Sequence, residues 1–195
     1  MTDNGNKWEQ LLSPGVLRDK LIKASLFITA YEILKESIVS RVKDFYGVGY
    51  DVRGSNTKKE YQDEVLSRGK GTLYPSLHWL QEHEAIDESD LATFEQLRGT
   101  RNTLAHQLHS LATGSLEIDT EPMFKALTAL LRKIEVWWIV NLEIPANPDF
   151  DDQEIDRDGI VPGSIITLQI IQEVLTGNEE LLRAYQSLQH PRSDH

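Results

Sequence analysis

Across residues 16–46, apolar side chains recur at alternating steps of three and four. They are Leu17, Leu21, Ala24, Ile28, Tyr31, Ile38, Val42 and Phe45, and Lys35 is the one interruption. That spacing holds a stripe on one side of a helix, so the pattern predicts about eight helical turns with one buried face. Pro14 suits the first turn, where its missing N–H costs nothing, Ser13 is placed to cap it, and Gly47 with Gly49 to end it. No alternation with a period of two is sustained anywhere, which predicts an all-α protein.

After a turn-rich stretch, short helices are expected over 57–67, ended by Gly69-Lys70-Gly71, and over 75–84, carrying Leu77, Trp79 and Leu80. Asp87 reads as an N-cap with Asp90 at the third helical position, where an acidic first turn complements the helix dipole. The helix it opens carries Phe94, Leu97, Leu104, Leu108 and Leu111, and Arg101 stands where that stripe wants an apolar residue. Beyond Gly114, Pro122 marks another first turn, and Met123, Leu127, Leu130, Ile134 and Trp137 continue an amphipathic helix to about residue 142. The main body is therefore placed at 1–143. A connection rich in Pro, Asp and Gly follows at 144–164, and 165–195 form a C-terminal arm with helical runs over 165–176 and 179–188 and a frayed end from His190.

A chain of 195 residues with 39% apolar and 26% charged content can fill a core, and is neither disordered nor membrane-spanning in composition. No run approaches the roughly 20 apolar residues of a membrane span, and the polar N-terminus is unlike a signal, which predicts a cytoplasmic protein. With no cysteine, disulfides and thiolate chemistry are absent, so any reaction uses oxygen or nitrogen groups. The net charge of −11 disfavours broad wrapping of a polyanion but leaves room for a local basic pocket, for which Arg98, Arg101, His106 and His109 are the candidates.

Placed at 100° intervals, Glu95, Arg98, Asn102, His106 and His109 fall in one polar band, Leu97 and Leu104 lie nearly opposite, and Arg101 sits at the shoulder. Such bands are usually solvated faces, and an Arg beside an apolar stripe often reaches past it to water. The segment Leu97-Arg98-Gly99-Thr100-Arg101-Asn102-Thr103-Leu104-Ala105-His106 nevertheless resembles the signature of the HEPN superfamily, an Arg, a polar residue, three further residues and a His on one helix. Ala30-Tyr31-Glu32-Ile33-Leu34-Lys35 and the Trp79-Leu80 helix leading to Asp87 are also similar to bacterial members, so the likeness spans roughly 16–143.

The resemblance implies an antiparallel bundle of four to five helices that pairs as a homodimer, joining the Arg and His of both subunits in one cleft. It also implies a metal-independent endoribonuclease without a cofactor, possessing an RNA substrate and, as a toxin or defence effector, an antitoxin or defence-system partner. Arg101 and His106 would be catalytic, with Asn102, Arg98, His109 and Glu95 binding or orienting the substrate. A second implication is a catalytically silent dimerisation or adaptor module that binds a nucleotide or a protein. In members silenced by a nucleotidyltransferase partner, the modified tyrosine stands two positions after the His; Leu108 stands there in this chain, which argues against that mode of control.

Other candidates fit less well. Glu154, Asp156, Asp158 and Gly159 imitate the start of a calcium loop, but Ile165 occupies the place of its bidentate Glu and Pro162 interrupts it. His78 and His83 are five apart rather than the four that would align them for a metal. Trp137-Trp138 reads as one core and one interface residue rather than a stacking platform for bases.

Overall fold

The computed structural model describes residues 13–47, 57–107, 109–110, 118–150, 153–177 and 183. The secondary structure among them is entirely helical: α1 (Pro14–Phe45), α2 (Thr57–Glu64), α3 (Leu73–Glu82), α4 (Glu88–His106), α5 (Glu121–Trp138) and α6 (Gly163–Thr176), with short 3-10 turns at Leu66–Arg68 and Pro148–Phe150. The run 179–188, apart from Arg183, the tail from His190, and Leu108, Leu111, Gly114 and Gly49 lie outside the described residues.

The long first helix forms as its periodicity predicts, and its buried stripe keeps the expected Ala24, Tyr31, Ile38 and Val42 while widening to one side through Phe27, Ala30 and Leu34. Ala24, Phe27, Tyr31, Leu34, Ile38 and Val42 line it, still in steps of three and four, while Phe45 is 49% exposed. Leu34 fills the stripe beside Lys35, and Lys35 turns aside to Glu32. Ser13 stands at the N-cap position, yet its side chain makes no capping bond; its carbonyl accepts from Leu17 N at 3.1 Å. Gly47 ends the helix with φ 64, a left-handed conformation that glycine adopts at no steric cost.

Helix α1 packs against α3, α4, α5 and α6, so the core collects around it. Leu77, Trp79 and Leu80 come from α3, Phe94, Leu97 and Leu104 from α4, Leu127, Leu131 and Ile134 from α5, and Ile165 and Leu168 from α6. Each such side chain contributes roughly 1.5–3 kcal/mol on leaving water. Trp79 and Trp138 stack at 5.6 Å with rings 6° apart, and Trp137 meets Trp138 edge-on at 5.0 Å. Trp138 is thus a core residue and Trp137 a partly buried one.

Helix α3 ends earlier than its pattern predicts. Glu84 adopts φ 58, its N–H reaches the Gln81 carbonyl at 3.1 Å, and Ala85 N reaches the Leu80 carbonyl at 2.9 Å. This is a Schellman closure built on a glutamate rather than glycine, and it buries Ala85 against the core. Helix α5 continues past Trp138 through a π-helical segment, Ile139–Glu143, whose wider turn carries Ile144 N to the Ile139 carbonyl at 2.9 Å.

One buried polar contact ties α1 to α5. Glu135 is 4% exposed; its Oε1 accepts from the Ser37 hydroxyl at 2.5 Å and its Oε2 from Arg41 Nη2 at 2.6 Å. Arg41 also donates through Nη1 to Glu143 at 2.8 Å, across the π-helical segment.

Helix α6 buries Ile165 and Leu168 and leaves Ile166, Ile170 and Val174 exposed. The connection before it is held by Arg132, whose Nη2 donates to the carbonyls of Arg157, Asp158 and Ile160. Asp156 folds its carboxylate onto its own turn, accepting from Asp158 N at 3.0 Å, and a Cβ at Gly159 would lie 2.8 Å from Asp156 Oδ2, so a larger residue there would push that carboxylate aside. No helix among the described residues is long and apolar enough to cross a membrane.

Candidate active site

The site is assembled on α4, and its helix is fixed at the start. Asp87 Oδ1 accepts from the N–H groups of Ser89 and Asp90, while Asp90 Oδ2 accepts from Asp87 N at 2.9 Å, a reciprocal capping box. Lys133 of α5 bonds both carboxylates and holds the Asp87 carboxyl well below the usual carboxylate range, assisted by the Ser89 hydroxyl. Phe94, Leu97 and Leu104 then bury one face against α1 and α5, which sets the direction of the polar side chains.

Arg101 is the residue that the fold has most to say about. Its side chain is 30% exposed and lies across α1, where Nε and Nη2 both donate to Glu32 Oε1, at 3.1 and 2.7 Å. Its guanidinium carbon is 6.0 Å from the centre of the Tyr31 ring, and Nη1 approaches Asn102 Oδ1 at 3.4 Å. Glu32 gives its other oxygen to Lys35 at 3.0 Å. Lys35 and then Arg101 hold the Glu32 carboxyl below its ordinary value against the opposing effect of partial burial.

Arg98 stands one turn earlier and turns to α3. Nη1 donates to the Tyr74 hydroxyl at 2.5 Å and to Glu95 Oε2 at 3.4 Å, the Tyr74 hydroxyl donates to Glu95 Oε1 at 2.6 Å, and the guanidinium carbon lies 5.5 Å from the Tyr74 ring centre. Beneath both arginines, burial pushes the Tyr31 hydroxyl up to about 12 even though Arg98 draws it down. Tyr31 is therefore neutral at ordinary pH and presents a ring face rather than a charge.

His106 is the last residue of α4 and is exposed. Among the described residues its ring has no hydrogen-bond partner; Asn102, expected to orient it, leans toward Arg101 instead. The helix stops there, with Gln107 N bonded to the Thr103 carbonyl at 2.9 Å. His109 is helical but lies beyond the end of α4, after the break at Gln107, which corrects the expectation of one continuous helix. The structure brings Glu95 to Arg98 and Asn102 to Arg101. Spacing within α4 gave no sign of Glu32, Tyr31 and Tyr74, because each belongs to another element; the weak signal available was an acid on the α1 face toward which a half-buried cation had to turn.

No protein-family model, curated protein or solved structure matches the chain. What stands is an all-helical protein with two arginine clusters and an exposed histidine on one helix.

Proposed function

We propose that the chain is a metal-independent endoribonuclease of HEPN type, a helical bundle acting as a homodimer with a composite Arg/His site. The supporting observation is the contrast on α4: Arg101 is held partly exposed by Glu32, while His106, five residues on, offers an exposed imidazole with no hydrogen-bond partner among the described residues. Five residues separate them by about 7.5 Å along the axis and about 140° around it, so one subunit does not aim both at one point. A second copy related by a two-fold axis supplies the missing half.

In this reading a neutral imidazole takes the proton of a ribose 2′-hydroxyl as the 2′-oxygen bonds to phosphorus, and the bond from phosphorus to the 5′-oxygen breaks. The second histidine, already protonated, gives its proton to that departing oxygen. Arg101 stabilises charge gathering on the phosphoryl oxygens through the N–H groups that Glu32 leaves open. Such a toxin or defence effector acts in the cytoplasm and is restrained by an antitoxin or system partner.

The test is cleavage of mixed RNA with and without EDTA. Wild-type activity should survive chelation, and His106→Ala or Arg101→Ala should lose about 10²–10⁴-fold in rate while helicity and dimer persist. Undiminished activity in either variant removes that residue from the mechanism. The hold of Glu32 on Arg101 favours one second reading, a silent dimerisation or adaptor module, and saturable nucleotide binding without cleavage would select it.

A further inference from the structure

The two guanidiniums differ in which N–H groups are committed. On Arg101 the edge formed by Nε and Nη2 is filled by one oxygen of Glu32. On Arg98 only Nη1 is engaged, by Tyr74 and Glu95; Nε and Nη2 have no partner among the described residues, and the side chain is 45% exposed. Nε–H and Nη2–H form the parallel pair that grips two oxygens of a phosphoryl group. The intact fork therefore belongs to Arg98, and Arg101 retains only its terminal N–H groups.

Residues three apart on a helix have Cβ atoms about 5–6 Å apart, and here each guanidinium is seated by a tyrosine ring, Arg98 on Tyr74 and Arg101 on Tyr31. The cations Arg98, Arg101 and Lys35 outnumber the carboxylates Glu32 and Glu95, a local positive surplus on a chain of net charge −11. Two anchored cations one turn apart suit two separate phosphoryl groups joined by a sugar. The two phosphorus atoms of pyrophosphate share an oxygen and sit too close together to occupy both.

We propose that Arg98, braced on Tyr74, is a second phosphate subsite, so that this face takes a nucleic-acid strand presenting two consecutive phosphodiesters rather than a mononucleotide. The inference rests on the reading of Arg101 as a phosphate-binding residue. Because only backbone groups are gripped, binding through this pair is indifferent to base sequence.

Fluorescence polarisation with a labelled, uncleavable 2′-O-methyl tetranucleotide tests it, with a dinucleotide, a nucleoside monophosphate and pyrophosphate as competitors. Arg98→Ala should weaken tetranucleotide binding about tenfold and reduce the slope of log affinity against log salt by about 0.7. Arg98→Lys, keeping charge but not the fork, should restore the slope and not the affinity; circular dichroism confirms that both variants are folded. Wild-type affinity and slope in Arg98→Ala, pyrophosphate competing as well as the dinucleotide, or no binding by the wild type would each overturn the subsite. An Arg98 effect in a protein that never cleaves RNA sinks the nuclease and leaves the subsite standing. Cleavage that ignores Arg98 does the reverse.

Discussion

Replacing Glu135 with alanine probes the buried contact between α1 and α5. The substitution removes the acceptor 2.5 Å from the Ser37 hydroxyl and 2.6 Å from Arg41 Nη2. Ser37 is buried, so its stranded hydroxyl costs roughly 1–3 kcal/mol. Arg41 keeps Glu143 and contact with water, so its loss adds less than a fully enclosed charge would. With the cavity left by the side chain, the total falls at about 3–4 kcal/mol, near the low end for breaking a buried pair. For a protein of this size that is a fall of roughly 6–16 °C in Tm. Urea unfolding at pH 7, followed by circular dichroism, measures it. The companion variant Glu135→Leu with Ser37→Ala replaces the polar contact by apolar packing and should recover most of the loss. A penalty below about 1 kcal/mol for Glu135→Ala, or no recovery in the double variant, would show that the contact does not hold the two helices together.

Burial raises Tyr31 to about 12, and burial followed by the Glu64 hydrogen bond raises Tyr46 to about 12. A folded value above the unfolded one of about 10 stabilises fully below pH 10 and is lost as pH climbs toward 12. Tyr31 alone accounts for about 2–3 kcal/mol of that loss, so Tm should fall steeply between pH 10 and 12, and less steeply in Tyr31→Phe; equal slopes would contradict the assignment. Glu84 pays for a left-handed backbone without needing a side chain there, so Glu84→Gly should stabilise by about 1 kcal/mol in the same urea assay, whereas any loss would mean that the carboxylate matters more than its φ.

Periodicity made the helices legible, and it located most of their ends, because Pro14, Asp87, Pro122 and Gly47 each act within their own turn. The end of α3 was not legible: the left-handed position falls on Glu84, and only the burial of Ala85 and Leu80 beneath the turn compensates for the absent glycine. The stripe of α1 was only partly placed, for a related reason. Leu17, Leu21 and Phe45 are as apolar as Phe27 and Leu34, so sequence cannot say which of two overlapping faces the neighbouring helices cover.

The candidate site shows the same division more sharply. A helical wheel sees one element, and on it Arg98, Asn102, His106 and His109 form a single band with Arg101 at its edge. Packing splits that band in two, since α3 brings Tyr74 to Arg98 and α1 brings Glu32 and Tyr31 to Arg101. Neither cation can be judged by exposure or spacing alone. The decisive property is which edge of the guanidinium a neighbour has already taken, and that depends on a carboxylate 69 residues away in the chain. Of the two arginines that the sequence singles out on this helix, Arg101 is therefore the less available, while Arg98, three residues earlier, keeps its parallel N–H pair open among the described residues.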